Sequence, residues 1–197
     1  MMKTKLSFFA WSLFLLLLAG CIPSIHPLYT SKDVVFDPLL VGGWFEKDNS
    51  NRWIFESAGD SSYKLVYYEN GVFGEDSTKT ISEFEVHLVK LEDHYFLDFY
   101  PGNNDHLPMS TLLAATLLPV HTFAKLVYDD GQFDLSFFSS QWLEQSIHDK
   151  TIKIAHEKTS NQIVLTAPTK ELQEMVLQNV DNREAFVEPT TLMKTKK

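Results

Sequence analysis

One cysteine and two arginines are the scarcest features of this 197-residue chain. With Cys21 alone, neither an internal disulfide framework nor a cysteine-based metal cluster can form. Arg52 and Arg183 stand in a chain of net charge −9, in which acidic residues outnumber basic ones 26 to 17. No basic stripe is available to grip a phosphate backbone, which excludes nucleic acid as a partner. Gly-x-Ser-x-Gly, P-loop and Gly-x-Gly-x-x-Gly motifs are missing, so serine-hydrolase and nucleotide-binding readings have no support, and no cofactor is called for. The seven histidines show neither His-x-His nor His-x-x-x-His spacing. What is present is a globular balance, 44% hydrophobic and 22% charged, which argues against disorder. The length suits one domain of about 100–200 residues.

The N-terminus carries the strongest pattern. Lys3 and Lys5 precede an apolar stretch from Leu6 to Leu18 that only Ser7 and Ser12 interrupt. That stretch is short for a membrane span, which needs roughly 20 residues, but it fits an export signal. Leu18-Ala19-Gly20-Cys21 follows directly and resembles the lipobox of bacterial lipoproteins at all four positions. The resemblance implies cleavage before Cys21, a diacylglyceryl group on its thiol and acylation of its new amine. The other reading is an uncleaved anchor with an incidental cysteine. Two or more acyl chains hold a protein stably on a bilayer, each buried methylene contributing ~0.8 kcal/mol. Loss of residues 1–20 would remove two lysines and leave a net charge of −11. Anionic headgroups repel such a body, so the lipid and not a basic face would hold it.

The expected organisation is a signal peptide over 1–20, a lipidated N-terminus and tether over 21–39, a β domain over 40–180 and a C-terminal tail over 181–197. Pro23 and Pro27 mark the tether, and residues 22–33 at ~3.3 Å each would reach roughly 40 Å. Ile22 follows the cysteine; in enterobacterial lipoproteins an aspartate there signals inner-membrane retention. The resemblance therefore points to the outer membrane, facing the periplasm. Lys194, Lys196 and Lys197 read as a frayed basic end.

The body of the chain alternates with a period of two. Phe84, Val86 and Leu88 face one side, and Tyr95, Leu97 and Phe99 answer them. A two-residue turn at Glu92-Asp93 sets Leu88 opposite Leu97 and Val86 opposite Phe99, whereas a three-residue turn would put Leu88 against Asp98. A four-residue loop keeps the same parity. Asp130-Gly131 suits a tight turn that pairs Tyr128 with Phe133, Leu126 with Leu135 and Ala124 with Phe137. Ile152 and Ile154 against Ile163 and Leu165 predict a third hairpin, and Asn70-Gly71 another turn. Trp44-Phe45 and Trp53 to Phe55 read as strands around a 47–51 loop, for about nine strands in all.

Two helices are expected, one from Ser140 to His148 and one from Thr169 to Asn179 whose Leu172, Met175 and Val176 should lie on the sheet. The apolar stretch 107–119 admits a short helix, a lid over a cavity or an edge strand broken by Pro119.

This is the pattern of a mainly β chain, an antiparallel meander closing into a barrel or a strongly curved sheet. Gly42 and Trp44 resemble the Gly-x-Trp signature of lipocalins, which implies a lipocalin-like barrel with the tryptophan at its base and a helix after the last strand. The stretches HLVKLEDHYFLDFYP, LPVHTFAKL and LTAPTKELQ resemble an uncharacterised group of bacterial lipoproteins; the resemblance covers most of the mature chain and implies no activity.

On the second face of the 83–100 hairpin the register places His87 opposite Asp98. A carboxylate facing an imidazole can make a general base, so this pair is the candidate catalytic site. It reads equally as a cross-strand ion pair worth roughly 0.2–1 kcal/mol. A metal held by His87, His94 and Asp98 would require the fold to bring His94 beside that pair, and none is expected. His121 reads as an ordinary polar residue on a strand face. The chain is thus expected to be a membrane-anchored envelope lipoprotein with a non-catalytic domain that docks an envelope partner or carries a hydrophobic small molecule. The crowd of Phe, Leu and Tyr on the inner face predicts a filled core, which favours docking.

Overall fold

The computed structural model describes residues 21–47, 51–70, 79–102, 110–129, 131–159 and 162–195. The hairpin of β5 (Lys79–Leu91) and β6 (His94–Pro101) sets its architecture. Leu88 pairs with Leu97 and Val86 with Phe99, across the two-residue turn at Glu92-Asp93. Glu92 takes a φ of 52° in that turn. β7 (Thr122–Asp129) and β8 (Gln132–Phe137) pair as the Asp-Gly turn predicts, with Gly131 at a φ of 84°. β2 (Gly42–Glu46), β3 (Arg52–Ser57) and β4 (Tyr63–Asn70) complete the meander. The Asn70-Gly71 turn lies outside the described residues.

These strands and β11 (Thr190–Lys194) form a closed, eight-stranded antiparallel barrel in the order β5-β4-β3-β2-β11-β8-β7-β6, with β6 returning to β5. The short β1 (Val34–Val35) adds to β5 beyond the end of β4. β9 (His156–Lys158) and β10 (Ile163–Leu165) make a separate two-stranded ribbon, so the described strands number eleven and not nine. In that ribbon Lys158, not Ile154, sits next to the turn opposite Ile163. Thr159 closes the turn by exchanging hydrogen bonds with Gln162, which moves the register from the expected isoleucine pairs.

Among the described residues, three α-helices accompany the strands. α1 (Thr111–Ala114) lies in the apolar stretch between β6 and β7. α2 (Ser140–His148) is capped by the Ser139 hydroxyl, which accepts a hydrogen bond from Trp142 N. α3 (Thr169–Gln178) buries Leu172, Met175 and Val176 as expected. No helix among the described residues is long and apolar enough to cross a membrane.

Strand alternation divides the apolar residues between two cores. Trp44, Phe55, Leu65, Val86, Leu97, Phe133 and their neighbours fill the barrel. Val89, Phe96 and Phe123 point outward and meet Leu143, Leu172 and Val176 of the helices. The expected tether belongs to this outer layer. Ile22 and Leu28 are fully buried in it, and Ser24 bridges His121 on one side and Leu165 on the other. Segment 22–28 is therefore packed against the barrel and does not hold it off at arm's length. The 181–197 tail is corrected likewise. β11 lies between β2 and β8 with Leu192 inside the barrel, and the Lys194 ammonium sits 5.0 Å over the Trp44 ring while donating to Leu39 O.

Candidate functional site

The two ends of the barrel differ. At the end where β2 begins, Gly42 has a φ of 129°, a conformation L side chains avoid, and its open Cα faces the Lys194 stem. Trp44 then points inward, 1% exposed, packs 4.4 Å from Phe133 and donates its indole N–H to Leu40 O. A buried tryptophan therefore fills this end of the barrel. α3, however, precedes the closing strand instead of following it.

Two residues along β2, the same alternation turns Glu46 inward. A carboxylate buried in a barrel needs donors. Glu46 Oε1 accepts the Trp53 indole N–H at 2.7 Å and Oε2 accepts the Asn51 amide at 3.3 Å; that amide also donates to the Tyr67 hydroxyl at 2.9 Å. Burial, with Glu46 and Glu69 nearby, pushes the Tyr67 phenol above its ordinary pKa and keeps it neutral. Beside this polar row opens a cavity of about 390 Å³ walled by Leu65, Phe84, Phe99 and Phe137. Thr122, Thr190 and Cys21 also line it; Cys21 is exposed as a residue, but its thiol is turned in beside Thr122, and burial pushes that thiol above its ordinary pKa. The inner face is thus filled at one end and hollow at the other, where the sequence reading had it filled throughout. The sequence pointed at Trp44 but not at Glu46, although strand parity alone places them on one face.

A second polar cluster lies on the outside of the barrel. His87 stands opposite Asp98 in the ladder, as expected, but Asp98 serves other partners. One carboxylate oxygen accepts Leu28 N at 2.8 Å, and the other meets His121 Nδ1 at 2.7 Å. Asp98 is completely buried and His121 nearly so, which corrects the reading of His121 as an ordinary strand-face residue. His87 stacks on Tyr29 at 4.3 Å and approaches Glu85 at 3.6 Å. Burial holds its pKa below 6.5 despite the pull of Glu85 and Asp98. Tyr29 is pushed up to about 12, by burial first and then by Asp98 and Glu85. His94 sits at the hairpin turn opposite Leu91, away from Asp98. Among the described residues, no three His, Cys, Asp or Glu gather to hold a metal. The arrangement is that of a clamp: Asp98 joins the backbone of the N-terminal segment to a strand and leaves its partner imidazole under the tilted ring of Tyr100.

The third feature is an open groove of about 530 Å³ between the outer face of β7 and β8 and residues 180–189, where Lys125 and Arg183 alternate with Asp134 and Asp181. These features define an eight-stranded antiparallel barrel with one sealed end and one cupped end. Comparison with protein-family models, curated proteins and solved structures returned no match.

Proposed function

We propose that the protein is a lipid-anchored envelope lipoprotein whose barrel carries a small, largely apolar ligand at its cupped end. The observation that carries this reading is the cavity of about 390 Å³, within the range of roughly 300–1,000 Å³ of small-molecule sites. Its walls suit an apolar body, and the Tyr67–Asn51–Glu46 row suits one polar end of a ligand. The lipobox-like Leu18-Ala19-Gly20-Cys21 supports the anchor, and Cys21 is an exposed residue beside the cavity. The Asp98–His121 pair fits a structural role better than general-base chemistry, because both residues are committed to holding segment 22–28.

Native mass spectrometry of protein extracted from membranes tests the carrier reading, together with titration by the apolar fluorophore N-phenyl-1-naphthylamine. An apolar molecule co-purifying, or saturable uptake of the fluorophore, is the expected result. Absence of both would sink it. The anchor is read separately: labelled palmitate should enter the wild-type chain and not Cys21→Ser.

A further inference from the structure

Between β6 and β7 the chain exposes leucine on a scale found nowhere else among the described residues. Leu112, Leu113, Leu117 and Leu118 are 79%, 51%, 55% and 67% exposed, and every residue from Ser110 to Pro119 lies open to solvent. Ser110 caps the single turn of α1, accepting from Leu113 N, and Thr116 closes its far end onto Leu113 O. The segment is thus a knob with its own internal hydrogen bonds and no apolar face turned inward. It contributes no wall to the cavity, so the lid reading of this stretch is not the one the structure takes. Contiguous exposed apolar surface of this kind marks an interaction site.

Two observations choose its occupant. The first is distribution. Leu112 and Leu113 precede Ala114 and Ala115, and Leu117 and Leu118 follow them; all six are exposed around one short turn and not along the face of a long helix. A medium that surrounds the knob buries all four at once, and a bilayer interface does so. The second is position. Thr122, a few residues beyond Leu118, lines the same cavity as Cys21, and the backbones of Ser24 and His121 exchange two hydrogen bonds at 2.8 Å. The knob and the anchoring cysteine therefore leave the barrel at the same end. Residues 110–120 carry no charge, so an acidic body repelled by headgroups presents a neutral contact there.

We infer that the 110–119 knob is a second membrane contact, dipping into the bilayer interface and turning the cupped end of the barrel toward the lipid. This rests on the lipoprotein reading for which surface the chain meets, but not on it for the contact itself. A cavity mouth held against a bilayer receives an apolar ligand without exposing it to water.

The test places an environment-sensitive label at either end of the full chain. Leu113→Cys and Leu39→Cys, the latter 51% exposed at the sealed end, are each made in a Cys21→Ser background and labelled with a nitrobenzoxadiazole thiol probe. Each is also made on the acylated chain, where Cys21 is blocked. The proteins are placed on phosphatidylcholine vesicles with and without brominated acyl chains. The label at 113 should shift to the blue, brighten several-fold and be quenched by bromine, while the label at 39 stays unchanged. No shift at either position, or a shift at 39 alone, would overturn the proposal. Failure of the anchor shows differently, as probe labelling of Cys21 in the wild-type chain while the contrast between 113 and 39 persists.

Discussion

The sealed and cupped ends of the barrel are built from the same strands by the same alternation, yet one is filled with aromatic rings and the other holds a void beside a buried carboxylate. β2 shows the contrast within three residues: Trp44 packs on Phe133 and Glu46 looks into the cavity. The sealed end stabilises the fold, and the cupped end is left free of that duty. Stability and binding should therefore separate by position along a strand.

The most damaging change should be Trp44→Ala. It removes a fully buried side chain and should cost about 4 kcal/mol, read as a lower denaturation midpoint at unchanged slope. Asp98→Ala comes next, at about 3 kcal/mol, because it strands the buried Leu28 N–H and the His121 ring. Proteolysis near residues 22–28 should rise with it, since the clamp holds that segment. Phe137→Trp should sharpen the comparison from the other end. Added bulk on the cavity wall should weaken fluorophore binding at least tenfold, about 1.4 kcal/mol, while the denaturation midpoint barely moves. A midpoint falling as far as that of Trp44→Ala would erase the distinction between the ends.

The smallest effect concerns pH. His87 has a folded pKa below its ordinary 6.5, so the unfolded chain binds its proton more readily. Its contribution should be fully favourable above pH 6.5 and decline as pH falls through that value and below it. His87→Gln should flatten this part of the stability–pH curve; an unchanged slope would remove His87 from the account.

The hairpins were legible because hydrophobic alternation and turn chemistry agree there: Leu88 opposite Leu97 and Tyr128 opposite Phe133 follow from parity and from Asp130-Gly131. Long-range assignments were harder. Nothing local in Ile22-Pro23-Ser24 announces that it packs beneath His121, nor in Thr190 to Lys194 that it joins β2 to β8. A short apolar pair beside prolines reads as a linker until its partner strand is known. The His87–Asp98 register was right, but parity says which residues face each other and not which third group reaches the carboxylate first. The cavity was hidden for a similar reason, since volume depends on where large side chains fall along the axis and not on how many there are.

The strand that closes the barrel comes last among the described strands. β2 and β8 are early and middle pieces of sequence, and each waits for Thr190–Lys194 to cover its remaining edge. Until those residues arrive the sheet is an open ribbon with two unsatisfied borders, able to pair with a neighbour. Closure of the ring thus waits on β11, and a product that stops before Thr190 would have the meander but not the vessel.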